Sequence, residues 1–269
     1  MQSMSFTHHH RRLRPRQQGV ALFVVIVFVM LSMLLALWAS RTSLFNEMVV
    51  GNDADYQRAF EAAQTLLQDA ELDIRRENPD GSPCIAATCR DKVSGAALIP
   101  LATSEVTPLL ANLDAQPTKC LTGLCAKRTG RQDFWKYTST TSPVPSSLQP
   151  GEVMLEDMTK PGIGARYGQY TGATQGSTSS PANPILQWKL DGSTPDNQGG
   201  WYWIEVLPYD ESSKNSGLIV KPVAAANSSL LRLNLTPNVV YRITALAYGR
   251  KPGTMAVLQQ TYARQMRKD

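Results

Sequence analysis

The chain has 269 residues, enough for one or two domains with their own cores, and 42% of them are hydrophobic. Its 27 basic and 22 acidic residues give a formal charge of +5, but Arg11, Arg12, Arg14 and Arg16 fall in the first 19 residues, which hold no acid; the rest carries 23 basic against 22 acidic residues. Global charge therefore gives no argument for nucleic-acid binding, and because His8, His9 and His10 are the only histidines, Ser-His-Asp, Cys-His and His-zinc chemistry are excluded from the folded part.

The basic leader ends at Gly19, and an uncharged apolar run follows from Val20 to Ala39. Such a run, as a helix, spans about 30 Å, the thickness of a bilayer's hydrocarbon core. A cleaved secretory signal has a shorter apolar region of roughly 7 to 15 residues and a small-x-small site. LALWAS, with Leu37 and Trp38 ahead of Ala39, is a poor site, and Arg11-Arg12 stands in a weak context for twin-arginine export. A plain anchor with the positive charges in the cytoplasm and the C-terminal bulk translocated fits this segment. Further on, Tyr56, Phe60, Ala63, Leu67, Ala70 and Ile74 alternate steps of four and three, the spacing of one helix face. Arg58, Glu61, Asp69, Asp73 and Arg76 are expected on the other faces. Membrane segment and stripe together predict one helix over 20–77, about 57 residues and ~85 Å long. Gly51-Asn52 is its expected weak point, since glycine costs about 1 kcal/mol in a helix interior. Asn78-Pro79-Asp80-Gly81 stops the helix by turn chemistry.

Residues 78–150 form a loop-rich region with four cysteines, in the pattern CIAATC (Cys84, Cys89) and CLTGLC (Cys120, Cys125). Four cysteines allow three disulfide pairings, of which two local loops are the simplest; two such pairs also suit a tetrahedral zinc site. A compartment outside the cytoplasm favours disulfides over zinc. KRTGRQDFWKY (127–137) interleaves Lys127, Arg128, Arg131 and Lys136 with Phe134 and Trp135, a composition that suits single-stranded nucleic acid or a surface contact. It equally describes a solvated loop whose aromatics anchor it to a core. GIGARYG (162–168) lacks the strand and Lys-Ser/Thr of a phosphate loop, and DGSTPDNQGG (191–200) lacks calcium-loop spacing. Asn227-Ser228-Ser229 is a chance glycosylation pattern. No cofactor or metal site is expected.

Residues 151–269 read as a β-rich domain. TSTTSPVPSSLQPG (138–151) and TGATQGSTSSPANP (171–184) are loops, with weak strand material in EVMLED (152–157) and RYGQYT (166–171). ILQWKL (185–190), WYWIEVL (201–207), LIVKPV (218–223), LLRLNL (230–235), VVYRITALAY (239–248) and MAVLQQTY (255–262) predict strands, the last two joined by YGRKPG. The expected fold class is α+β, a long N-terminal helix packed on a C-terminal antiparallel sheet.

Gly19, placed between the basic and apolar segments, resembles the class III signal of type IV pilins and pseudopilins. MVVGNDADYQRAFEAAQTLLQDAE (48–71) is similar to the region after the membrane helix in PilX-type minor pilins, and YRITALAYGRKPGTMAVLQQTY (241–262) to their closing strands. The resemblance implies cleavage between Gly19 and Val20, leaving 250 residues, with N-methylation of Val20. It also supports a disulfide at the Gly-Leu-Cys loop of Cys120 and Cys125. Major pilins carry Glu at the fifth mature position, where this chain has Val24. A lone carboxylate in hydrocarbon is costly unless paired, and in the family it pairs with the terminal amine of the preceding subunit. A subunit without it suits an initiating or tip position, and equally a minor subunit inserted anywhere without that contact. The implied partners are other minor pilins, the major pilin, the prepilin peptidase and a tip adhesin. The implied location is the inner membrane, then the pilus, serving adhesion, twitching motility and DNA uptake. Three alternatives stand beside this. One is a tip-like large pseudopilin of type II secretion, whose inserted helical domain has no counterpart in the turn-rich stretch after residue 150. The others are a single-span anchored binding protein and an anchored enzyme using Asp/Glu or Ser-Lys chemistry.

Overall fold

The computed structural model describes residues 20–138, 151–175, 184–189, 198–209, 235 and 237–264. They divide into two units, one ending at Gly51 and one beginning at Asn52. The first unit is helical from Val20, and every residue from Val20 to Val50 is exposed. This is the described segment long and apolar enough to cross a membrane. Ser32 and Thr42 donate their hydroxyls to the carbonyls of Phe28 and Trp38, at 2.7 and 3.0 Å. Each is thus satisfied within its own helix, as an apolar surrounding requires. The helix, α1 (Val20–Arg75), has no break at Gly51-Asn52. A glycine's cost of about 1 kcal/mol does not interrupt a ladder that propagates cooperatively on both sides.

In the second unit α1 buries Ala59, Ala62, Ala63, Leu66, Leu67, Ala70 and Ile74. The buried stripe is rotated from the one expected: Tyr56 is exposed, Phe60 is half-buried, and Asp69 and Asp73 face inward together with Asp55. The expectation that Asp69 and Asp73 lie on outer faces is wrong because each finds donors far away in the sequence, described below.

The strands form one sheet in the order β1 (Cys120–Leu121), β2 (Leu124–Cys125), β3 (Gly200–Pro208), β4 (Val239–Tyr248), β5 (Met255–Tyr262). β3–β4 pair antiparallel from Gly200↔Ala247 to Pro208↔Val239, and β4–β5 from Tyr241↔Tyr262 to Tyr248↔Met255. One junction departs from an antiparallel plan: β2 runs parallel to β3, with Leu124↔Ile204 and Cys125↔Glu205. β3 is buried on both faces. Tyr202, Ile204 and Val206 join the α1 cluster, while Trp201 and Trp203 join Phe134, Met158, Leu155 and Leu246 on the opposite side. The period-2 alternation of a strand thus feeds two cores, one under the helix and one under the loops that follow β2. Gly200 permits the first: a Cβ there would stand 2.6 Å from Leu66 Cδ1.

Several sequence expectations change. EVMLED runs into a short helix, α3 (Leu155–Met158), in place of a strand, because Leu155 and Met158 both turn into the second cluster. RYGQYT is a series of turns, and only Ala165 bridges to β3, at Tyr202. Residues 185–189 form no strand, although Ile185 and Leu186 are buried. The region 78–150 holds a helix, α2 (Thr103–Asp114), and the β1–β2 hairpin besides loops. The Glu105 carboxylate opens α2 by accepting the amides of Leu101 and Ala102 at 2.7 and 3.4 Å. The predicted strands LIVKPV and LLRLNL, apart from Leu235, lie outside the described residues, as do Asn227 and most of DGSTPDNQGG.

Candidate functional site

Two parts of the molecule carry its chemistry: the exposed apolar helix of the first unit, and the polar contacts that fix α1 within the second. Three aspartates of α1 make the latter. Asp55 accepts the backbone amides of Arg250 and Lys251 at 3.0 and 2.9 Å, which pins the β4–β5 turn. Burial alone would raise its carboxyl, but the two amides win and hold it below the usual carboxylate range. Asp69 is 1% exposed and accepts the Thr171 hydroxyl and, at 2.8 Å, the Gly168 amide. Here burial wins and pushes the carboxyl up to about 7; the nearby Asp73 adds to it, while Thr171, Gly168 and Arg90 oppose it. Asp73 takes Arg90 Nε at 2.7 Å, its Nη2 beside it, and the Tyr202 hydroxyl at 2.8 Å. Arg90 also donates to the carbonyls of Ala97 and Thr122, and its guanidinium lies 3.9 Å from the centre of the Tyr170 ring. One bidentate buried pair thereby ties α1 to the first cysteine loop, to the β1–β2 turn and to β3.

The cysteines form two local disulfides, Cys84–Cys89 and Cys120–Cys125. The second closes the β1–β2 hairpin, whose central residues Thr122 and Gly123 both have positive φ, 50° and 86°. That pair of angles matches the right-handed twist of flanking strands. A threonine at positive φ is strained. The Thr122 side chain offsets this by accepting the Ala97 amide at 2.9 Å, and its own amide reaches Gly162 O at 2.6 Å.

The basic aromatic loop is divided by the fold. Lys127 and Arg131 are exposed, and Arg131 bonds the Tyr137 hydroxyl. Trp135 is half-buried, edge-on to Phe134 at 5.4 Å, and Phe134 is buried edge-on to Trp203 at 4.9 Å. Arg128 does not join a surface: it turns inward over Phe134. The aromatics anchor the loop to the second core. In the first unit Val20 and Val24 are exposed residues of α1, while Gly19 lies outside the described residues. The aspartate–Arg90 network escaped sequence reasoning; its only advance signal is that Asp55, Asp69 and Asp73 interrupt an otherwise apolar helical face.

Two family models match this chain. One, PilX N-terminal, covers residues 18–68. The other, type IV pilus assembly protein PilX C-term, covers residues 121–264, more than half of the chain. The chain belongs to the PilX family. It is a PilX-type minor pilin of the type IV pilus, with the α+β pilin layout of an apolar N-terminal helix and a mostly antiparallel sheet. Searches of curated proteins and of solved structures return no match. Both matches meet the described geometry: the N-terminal one spans the exposed apolar helix and the start of its buried face, and the C-terminal one runs from the hairpin to the last strand.

Proposed function

We propose that this PilX-type pilin primes pilus assembly in the inner membrane and rides out at or near the tip. The observation that carries the reading is the helical segment Val20–Val50, exposed throughout and long enough to span a bilayer, preceded in sequence by a basic leader ending at Gly19. In this reading residues 1–19 are cut away, Val20 is methylated, and residues 20–39 first sit in lipid. The same apolar surface then leaves the bilayer to bury against the helices of other pilins. A lipid-facing and a helix-facing surface are chemically alike, so the transfer costs little hydrophobic energy, and helix packing drives it. Val24 in place of a carboxylate suits a subunit that joins before any terminal amine awaits it.

The second unit works as a structural head, and its buried Asp73–Arg90 ion pair serves to hold α1 rather than to do chemistry. Partners in this reading are other minor pilins, the major pilin, the prepilin peptidase and a tip adhesin. The filament serves adhesion, twitching and DNA uptake. Any nucleic-acid contact falls to Lys127, Arg131 and Trp135, because Arg128 faces inward.

The deciding experiment is the mass of the N-terminal peptide from membrane and sheared-pilus fractions. A methylated Val20 terminus in both fractions is the expected result. A retained leader through Gly19 means a plain anchor, and a start beyond Ala39 means a secretory signal; either one removes the filament role.

A further inference from the structure

The two disulfides are spaced alike in sequence and sit differently in the fold. In Cys84–Cys89, Cys84 is half-buried, and the residues the bond encloses, Ile85 to Thr88, are all exposed, Ile85 at 80%. Cys120 and Cys125 are 0% and 2% exposed. They lie in the second core with Phe134, Met158, Trp201 and Trp203. The turn between them is covered too. The Thr122 and Gly123 amides donate to the carbonyls of Gly162 and Ile163 at 2.6 and 2.8 Å, and the Ile204 amide donates to Gly123 O at 2.7 Å. A Cβ on Gly123 would stand 2.6 Å from the Ala165 Cβ, so Ala165 lies directly against the turn.

Thiol–disulfide exchange, in either direction, brings a third sulfur up to the reacting pair. In the folded head the cover of Cys120–Cys125 keeps that sulfur out. Phe134, Met158, Ala165 and the two tryptophans of β3 all follow Cys125 in the chain. The cysteines themselves are five residues apart, so they can meet while β3 is still away.

We infer that the oxidation closing Cys120–Cys125 acts on the open chain, before β3 and the loops after β2 pack on the hairpin, whereas Cys84–Cys89 stays within reach of the same class of oxidant in the folded head. The reaction class is a two-electron dithiol oxidation by a disulfide-bearing oxidant. One cysteine thiolate of the open hairpin attacks a sulfur of the oxidant's disulfide, whose other sulfur leaves as a thiolate. The second cysteine thiolate then attacks the protein sulfur of the mixed disulfide, which forms Cys120–Cys125 and releases the oxidant's remaining sulfur. Two electrons pass to the oxidant, and the two cysteine protons end on its thiols. Once the second core has closed, the bond is sealed against reductants. A hairpin buried as a dithiol is trapped in that state until the head opens. This order follows from burial and is independent of the filament role.

The test uses the detergent-solubilised full chain, with alkylation and tryptic peptides as the readout. Cuts after Arg76, Arg90, Lys119 and Lys127 place each disulfide on its own peptide. In dithiothreitol under native conditions, Cys84–Cys89 is expected to open faster than Cys120–Cys125 by about tenfold or more, and urea should remove the difference. For the forward step the chain is reduced in urea and diluted to fold, with oxidised glutathione added either before dilution or after folding. Oxidant present from the start should close both disulfides. Oxidant added late should close Cys84–Cys89 and leave Cys120 and Cys125 as thiols, their closure slower than in urea by about tenfold or more. If tryptophan fluorescence shows that the reduced chain does not fold, closure before packing is a condition of folding and the inference stands. Equal rates of opening for the two disulfides in the native protein overturn it. So does a Cys120–Cys125 bond that closes as quickly in the folded reduced chain as in urea.

Discussion

Asp69 and Asp73 stand one helical turn apart on the buried face of α1, and they meet burial in different ways. Asp73 is matched by a guanidinium and a phenol, whereas Asp69 has only a hydroxyl and an amide. Replacing Asp73 by Asn leaves Arg90 buried without its counter-charge, and a loss of about 3–5 kcal/mol is expected in chemical denaturation of the second unit. Asp69 predicts a pH effect instead. Its carboxyl is raised from 3.8 to about 7 in the fold, chiefly by burial, so the folded chain holds a proton that the unfolded chain has released. That contribution favours the fold at pH below about 4 and fades as pH rises through about 7. The stability difference between wild type and Asp69→Asn should therefore fall across this window and level off above it. A difference constant from pH 4 to 8 would show that the Thr171 and Gly168 donors outweigh burial. These aspartates were illegible in the sequence for a physical reason: Arg90, Thr171 and Tyr202 lie 17, 102 and 129 residues from their partners, and helical periodicity carries no long-range information.

At the level of elements, legibility followed how much of each element's cause is local. β4 and β5 were plain because β-branched and aromatic runs flank a Gly-Arg-Lys-Pro-Gly turn, and their bounds agree with the sequence reading. α2 was hidden by Pro108 and by its threonines; what makes it a helix is the burial of Val106 and Leu113, seven residues apart, together with the Glu105 cap. EVMLED has strand-like composition, but its Leu155 and the Met158 just beyond it, spaced by three, both enter the second core. The parallel β2–β3 junction depends on where a chain returns some 80 residues later, roughly the reach that a local pattern cannot encode. The β1–β2 hairpin supports a sharper prediction. Gly123 has φ +86°, and a Cβ there would stand 2.6 Å from the Ala165 Cβ. Gly123→Ala should cost more than ~1 kcal/mol through both backbone strain and overpacking, whereas Gly253→Ala, with φ +82° but nothing within 4 Å, carries the strain alone. Comparing the two denaturation midpoints separates strain from overpacking.

For the whole molecule, the division at Gly51 and Asn52 separates an exposed apolar helical segment from a head with its own cores. Both clusters draw on residues from Ala59 onward. A chain beginning at Asn52 should accordingly be soluble without detergent and keep both disulfides, as size-exclusion chromatography and peptide mapping would show; aggregation would mean that the head needs the N-terminal segment to fold. The Asp55 contacts have a consequence in time. Asp55 grips amides 195 and 196 residues further along the chain, and the alanine face of α1 is covered by β3 and β4, which follow it by more than a hundred residues. During synthesis the helix therefore emerges with its packing face bare and stays so until almost the entire chain has been made. Contacts of such long separation form slowly and leave apolar surface open in the meantime. The head can then acquire its shape only once nearly the whole chain is available, with its apolar face dependent until that moment on whatever shields nascent chains.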